Sequence, residues 1–166
     1  MGLSKVSWLF VALLPLANSA TIINDPFGLR HVPYTPVCAY ACRLAIQSHP
    51  LECTPKGSTT TPPSCFASNE QYLTSLAYCI SIKCAAVSFA KLSAFWTKFA
   101  ISTTPNEPIP QLSYKVALQE AGTPNVTAVE GEILSKTSII SEKSYKLQFN
   151  GLTSWNEAEK NHSISG

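Results

Sequence analysis

The sequence predicts an all-α protein, a small disulfide-stapled helical domain with long, Pro-rich loops. Three observations support this prediction. Cysteines and apolar residues recur at helical spacing, as in Cys38, Cys42 and Ile46, which is typical of a helix with one buried face. All six cysteines lie between Cys38 and Cys84. The chain also contains twelve prolines, which favour rigid, extended connections between short helices.

The amino terminus has the three-part pattern of a secretory signal peptide. Lys5 is the only charge ahead of an apolar run at 6–16, and small residues stand three and one positions before a cut after Ser19. The run is shorter than the ~20 residues that a membrane-spanning helix needs. We therefore predict a signal peptide at 1–19 rather than a buried amino-terminal helix. The mature chain from residue 20 is then secreted, in the lumen or the extracellular space.

The segment at 20–104 is predicted to be a six-cysteine helical domain. It opens with an extended lead-in at 20–37, which contains three prolines. The first helix is predicted from Val37 to Ser48, because one of its faces is apolar throughout and a proline follows it closely. A loop at 53–64, rich in Pro, Ser and Thr, comes next.

The second helix is predicted to begin at a capping box formed by Ser68 and Gln71. Apolar residues at helical spacing extend it to Cys84 and allow it to continue until Thr104 and Pro105 end it. Beyond Cys84, large apolar residues at helical spacing form a stripe, which is predicted to belong to the core rather than to a cofactor site. Its members are Phe89, Leu92, Trp96 and Phe99.

The residues at 105–166 are predicted to form a helical carboxy-terminal extension. A short helix at 113–121 ends at Gly122. Residues 125–140 are ambiguous, because they match both a capping box and a strand. A last helix is predicted at 142–161. Its apolar face consists of Tyr145, Phe149, Leu152 and Trp155.

Composition argues against several classes of function. The net charge is +2, from 12 Lys+Arg and 10 Asp+Glu, and this gives no basic patch for a nucleic-acid partner. The seven glycines form no phosphate-binding loop, and no Gly-x-Ser-x-Gly elbow occurs. His31, His49 and His162 lie in or beside Pro-rich or terminal segments, and we predict that they are solvent-exposed. No residue is predicted to be catalytic, cofactor-binding or metal-binding.

An even number of cysteines in a secreted chain indicates a disulfide framework, and the lack of a Cys-x-x-Cys pair argues against zinc. Cys38 and Cys42 lie one helical turn apart. Cys79 and Cys84 would point ~140° apart in one rigid helix, so bridging both to the first helix requires either a local distortion or a helix end near Ile82 and Lys83. For two antiparallel helices the predicted bridges are Cys38–Cys84, Cys42–Cys79 and Cys53–Cys65.

Two Asn-x-Ser/Thr motifs, at Asn125 and Asn161, predict N-linked glycans, which fit the secretory compartment. No run after the signal peptide reaches membrane length. We therefore expect a membrane association only if a longer chain continues past Gly166. The sequence identifies no other partner.

A series of short motifs surrounds the cysteines: Pro-Val-Cys-Ala-Tyr-Ala-Cys-Arg at 36–43, Leu-Glu-Cys at 51–53 and Ser-Cys-Phe-Ala-Ser-Asn at 64–69. Later come Phe-Trp at 95–96 and Glu-Lys-Asn-His-Ser at 159–163. This pattern resembles the extracellular N-terminal domain of fungal ferric-chelate reductases. The six-cysteine part of the resemblance is the more specific part.

The resemblance implies a non-catalytic ectodomain in an iron-uptake context. In that family the haem ligands are His residues of later membrane helices, and FAD and NADPH bind a cytosolic domain. The resemblance therefore implies no haem, FAD or NADPH ligand in this chain. An alternative interpretation is a secreted cysteine-rich effector or surface-interaction protein that uses the same scaffold.

A fainter similarity is to the fungal cysteine-rich CFEM module, which opens with a comparable Pro-x-Cys-x-x-x-Cys. That module has more cysteines and can hold haem through an Asp. This sequence contains no Asp between Cys38 and Cys84. The CFEM similarity therefore implies no haem site.

Overall fold

The computed structural model describes residues 34–104 and 106–164, and it describes side chains as far as residue 161. The predicted signal peptide at 1–19 and His31 lie outside these residues. The described part of the chain belongs to one compact unit and forms six α-helices and no strand, so the prediction of an all-α protein is confirmed. The helices are α1 (Val37–Gln47), α2 (Pro63–Ser68), α3 (Glu70–Lys83), α4 (Phe89–Phe99), α5 (Tyr114–Ala121) and α6 (Glu142–Ile164).

The core forms where α1 packs against both α3 and α6, while α4 packs against α1 and α5. Helix α3 is the central helix, because it is covered by α1 on one side and by α5 on another. Its side chains from Tyr72 to Ala77 are all buried, which is the pattern of a helix inside a core rather than on its surface. The fully buried apolar residues of α1 and α3 include Ala41, Ile46, Leu73, Leu76 and Ile80.

Residues on both sides of the predicted boundary between 104 and 105 share this core. The Trp96 indole donates a hydrogen bond of 2.8 Å from Nε1 to the carbonyl oxygen of Leu112, and its ring centroid lies 5.4 Å from that of Tyr114. Helix α6 adds Tyr145 and Leu152 to the same buried cluster. The carboxy-terminal extension thus completes the core of the six-cysteine segment.

The start of the second predicted helix differs from the expectation. A six-residue helix, α2, begins at Pro63, within the loop predicted at 53–64, and extends beyond the end of that loop. Proline is favoured at the first position of a helix. Ser68 ends α2 and donates back to the carbonyl of Ser64. The cap of α3 is instead Asn69, whose Oδ1 accepts a 2.8 Å hydrogen bond from the Tyr72 amide.

The predicted continuation of this helix beyond Cys84 is wrong. Cys84 leaves the helical conformation, with φ −111° and ψ 28°, and a turn follows in which the Val87 amide bonds to the Cys84 carbonyl at 2.8 Å. Helix α4 then starts anew after Ser88 and ends at Phe99 rather than at Thr104. Within the predicted stripe, Leu92 and Trp96 are buried, but Phe89 is 53% exposed.

The ambiguous segment at 125–140 forms neither a helix nor a strand. It closes on itself through a single parallel bridge between Thr127 and Ile139. Helix α5 begins after Ser113 as predicted, because the Ser113 hydroxyl accepts from the Val116 amide. Helix α6 is twice as long as α1, with 23 residues against 11, so α1 cannot cover its whole apolar face. Trp155 is accordingly 45% exposed.

Candidate functional site

Three disulfides join α1, α2 and α3 and their loops. Their Cα–Cα distances are 5.6 Å for Cys38–Cys84, 5.8 Å for Cys42–Cys79 and 5.8 Å for Cys53–Cys65, and no described cysteine is free. These are the three pairs predicted for two antiparallel helices. This pairing allows either a local distortion or a helix end near Lys83, and the structure has the helix end, since α3 ends at Lys83. Cys84 is therefore free to turn toward Cys38.

A groove beside the Cys38–Cys84 disulfide is the larger of two open apolar cavities, with a volume of about 580 Å³. We call it the α4 groove. One wall is Thr35 and Pro36, just before Cys38, and another is the turn 86–88, just after Cys84. The disulfide therefore fixes the distance between these two walls. The remaining wall is one face of α4, formed by Lys91, Ala94, Phe95, Lys98 and Phe99.

The floor of the α4 groove belongs to the hydrophobic core. Phe95 is 3% exposed, and its ring stands edge-on to the ring of Tyr40 at 4.9 Å between centroids. Phe99 is half-buried beside the same tyrosine at 5.7 Å. The core therefore holds in place the two rings beneath the groove, of which Phe95 is buried and Phe99 is half-buried.

Lys91 and Lys98 are the charged residues of the α4 groove, and both are exposed. No carboxylate lines the groove, and neither lysine forms an ion pair with any residue that the structure describes. The groove therefore combines an apolar floor with two cations that have no ion-pair partner among the described residues.

The second apolar cavity, of about 370 Å³, lies between α3 and the start of α6. An ion pair between Lys83 and Glu142 stands at its edge, and Lys83 Nζ also lies 4.7 Å from the centre of the Tyr145 ring. The hydrogen bond from Lys83 lowers the pKa of the Glu142 carboxyl. Since this cavity has its cation already paired, it offers less to an anionic ligand than the α4 groove does.

A buried polar cluster lies behind the α4 groove, at the carboxy-terminal end of α4. Arg43 donates from Nη1 to the Phe99 carbonyl at 2.8 Å, and Gln47, one turn along α1, donates from Nε2 to the Ile101 carbonyl at 2.7 Å. The Tyr72 hydroxyl donates to the Ala100 carbonyl at 2.6 Å. Three consecutive main-chain carbonyls are thus satisfied by side chains of α1 and α3.

Arg43 is the unusual member of this cluster, because it is 5% exposed and has no carboxylate partner among the described residues. Burial lowers the pKa of its guanidinium, whereas Tyr72 and Tyr40 act in the opposite direction. Its positive charge faces the negative end of the α4 dipole. This role was not predicted, although the sequence carries a signal for it in the polar pair Arg43 and Gln47 within an otherwise apolar helix.

The histidines were predicted to be exposed, and for His49 this prediction is wrong. His49 is 3% exposed, and its Nδ1 makes no hydrogen bond. The segment that contains Leu134 covers it, since the Leu134 amide bonds to the Pro50 carbonyl at 2.9 Å. A contact between residues more than eighty positions apart leaves no local pattern. The side chain of His162 lies outside the described residues.

The two predicted glycan acceptors lie in different surroundings. Asn125 is exposed in the irregular segment between α5 and α6, and Asn161 is exposed on α6. Within residues 34–104 and 106–164 no group of three metal-ligating side chains comes together. No described helix is both long enough and apolar enough to cross a membrane.

Comparisons with known proteins give no match: no protein-family model, no curated protein and no solved structure is similar to this chain.

Proposed function

We propose that this chain is a non-catalytic, disulfide-stapled domain that works outside the cytosol, of the type that ferric-chelate reductases carry on their extracellular side. The observation that carries the proposal is that all six cysteines form three nested disulfides. Such frameworks persist in oxidising compartments and are rare in the cytosol. The motif resemblance around the cysteines supplies the iron-uptake context.

The polar interior supports a structural rather than a catalytic use of these residues. Arg43, Gln47 and Tyr72 each donate to a main-chain carbonyl at the end of α4. A group that is committed to capping a helix is not available to transfer a proton or bind a reacting atom. These side chains therefore hold α4 in position.

Three measurements on secreted protein test the proposal. Thiol titration of the native protein should find no free thiol, and non-reducing peptide mapping should recover the three nested pairs. The purified oxidised protein, mixed with NADPH and a ferric chelate, should reduce no more iron than buffer does. Free thiols in the secreted material, or NADPH-dependent iron reduction above buffer, would contradict the proposal.

The α4 groove favours a second candidate, a secreted cysteine-rich interaction protein, because an open apolar groove whose lysines pair with no described carboxylate is a binding feature. Translation of the genomic DNA downstream of Gly166 separates the two candidates. Apolar segments of membrane length with paired histidines would favour the ferric-reductase type. An immediate stop codon would favour the interaction protein.

A further inference from the structure

The α4 groove has the size and the lining of a site for one apolar chain. Its volume of about 580 Å³ falls within the range of small-molecule sites, about 300–1,000 Å³. Its apolar residues follow one face of α4, from Ala94 and Phe95 to Phe99, with Val87 beside them. A surface that runs along a helix in this way is elongated, which suits an extended acyl chain better than a compact ring system.

The charges at the groove select the head group of such a chain. Lys91 and Lys98 are seven residues apart, so they lie on the same face of α4 about 10 Å apart along its axis. Lys98 also borders a small cavity that Glu107 lines, whereas no acidic residue among those described lines the α4 groove itself. Lys91 also stands in the first turn of α4, where the helix dipole adds to its positive potential.

We propose that the α4 groove binds a single-chain anionic amphiphile, a fatty-acid-like monomer taken from solution. Its carboxylate accepts hydrogen bonds from Lys91 Nζ, and its acyl chain lies over Ala94 and Phe95 toward Phe99. The Cys38–Cys84 disulfide joins the chain next to the two other walls and so limits how far they can separate. This inference stands on the groove alone and is independent of the proposed relation to ferric reductases.

Calorimetric titration of the full oxidised chain tests the chemistry of the ligand. The probe is dodecanoate at pH 8, below its micelle concentration, and the comparator is dodecyltrimethylammonium, which has the same chain length and the opposite charge. We expect dodecanoate to bind at least about tenfold more tightly, since the groove offers cations and no carboxylate. Equal affinity for the two probes would overturn the proposal.

Matched charge reversals test the place of the ligand. Lys91→Glu should weaken dodecanoate binding about tenfold, because it removes one attraction and adds one repulsion. Lys115→Glu makes the same change at an exposed position of α5, away from the groove, and should leave the affinity within about twofold. Ala94→Arg raises the positive charge but fills the groove, so it should also weaken binding. Thermal unfolding of each variant shows whether it is folded.

Two further results would overturn the proposal. One is that folded Lys91→Glu and Lys115→Glu bind dodecanoate equally, which would place the ligand outside the α4 groove. The other is that the protein binds phosphatidylglycerol vesicles but not monomeric dodecanoate, because the groove would then be a contact for a membrane surface.

Discussion

The guanidinium of Arg43 donates a hydrogen bond of 2.8 Å to the carbonyl oxygen of Phe99, across 56 positions of sequence. It is a buried cation whose counter-charge is the end of a helix rather than a carboxylate. The guanidinium carbon also lies 5.1 Å from the centre of the Tyr40 ring, so an aromatic face covers part of the charge. Through this contact α1 sets the position of α4, and with it the floor of the α4 groove.

The Arg43 site should tolerate an apolar residue better than a lysine. Arg43→Met keeps the bulk of the stem and leaves one carbonyl without a donor, at a cost of about 1–2 kcal/mol in the free energy of unfolding. Arg43→Lys buries a compact, strongly hydrated ammonium, and we expect it to cost more. Urea denaturation of both variants gives the ranking. A lysine variant more stable than the methionine variant would contradict this account of the buried charge.

Tyr72 should make the protein lose stability at alkaline pH. Burial raises the pKa of its phenol, so the folded state holds the proton more tightly than the unfolded chain does. The contribution of the protonated Tyr72 phenol to the free energy of unfolding is therefore complete below the ordinary tyrosine pKa, about 10. It is lost as the pH rises above that value. The pKa of Tyr40 is also raised by burial. Urea denaturation from pH 8 to pH 11 should show this decline.

The variant Tyr72→Phe isolates this contribution. At pH 7 it should cost about 1–2 kcal/mol, because the Ala100 carbonyl loses its donor. Above pH 10 its stability should fall less steeply than that of the natural protein. Tyr78→Phe makes the same change on α3 at a half-buried position and serves as the control. Identical alkaline slopes for the natural protein and Tyr72→Phe would exclude the assignment to Tyr72.

Asn156 fastens the start of the described chain to α6. Its Oδ1 accepts from the Tyr34 amide and its Nδ2 donates to the Tyr34 carbonyl, both at 3.0 Å. Asn156→Asp keeps the acceptor but sets a carboxylate against the Tyr34 carbonyl, so we expect a loss of about 1–2 kcal/mol. Asn150→Asp is the same change at an exposed position of α6 and should cost less than about 0.5 kcal/mol. Equal losses in thermal unfolding would show that the paired hydrogen bonds contribute little.

Two of the three disulfides, Cys42–Cys79 and Cys53–Cys65, should differ in their contribution to the free energy of unfolding. The loop closed by Cys42–Cys79 spans 37 positions and that closed by Cys53–Cys65 spans 12. Chain entropy then predicts about 4 kcal/mol for the former and about 3 kcal/mol for the latter. The Cys42 side chain is also fully buried, so the double Cys→Ser variant of this pair leaves polar groups in the core. Secreted yield and thermal unfolding of the two double variants should follow this order, and the reverse order would refute it.

Analysis of the secreted protein tests both the cleavage of the predicted signal peptide and the use of the two predicted glycan acceptors. Sequencing should begin at Ala20, and intact mass should show a glycan that Asn125→Gln removes, because Asn125 is exposed in an irregular segment. Asn161→Gln should remove a second glycan, because Asn161 is exposed on α6. Retention of Met1 in a membrane pellet would identify the leader as an anchor. A variant that loses no glycan mass would contradict the assignment to the residue it replaces.

Local patterns of the sequence were sufficient for the helical class, for the extent of α1, and for the start of α5 at Ser113. These features depend on helical periodicity and capping, which involve residues within four positions of one another. The nested disulfides followed from the same geometry, once two antiparallel helices were assumed. The cap of α3 shows the limit of this reasoning, since Ser68 and Asn69 are both good caps and only α2 decides between them.

The break between α3 and α4, the partners of Arg43 and the burial of His49 were decided by the tertiary structure. Residues beyond Cys84 keep helical spacing, so the pattern allowed one long helix. The break arises because Cys84 must meet Cys38, 46 positions away, while Phe95 packs on Tyr40. The α4 groove exists only because of that break. Contacts at such separations are set by packing of the whole core, and no periodicity within a single helix encodes them.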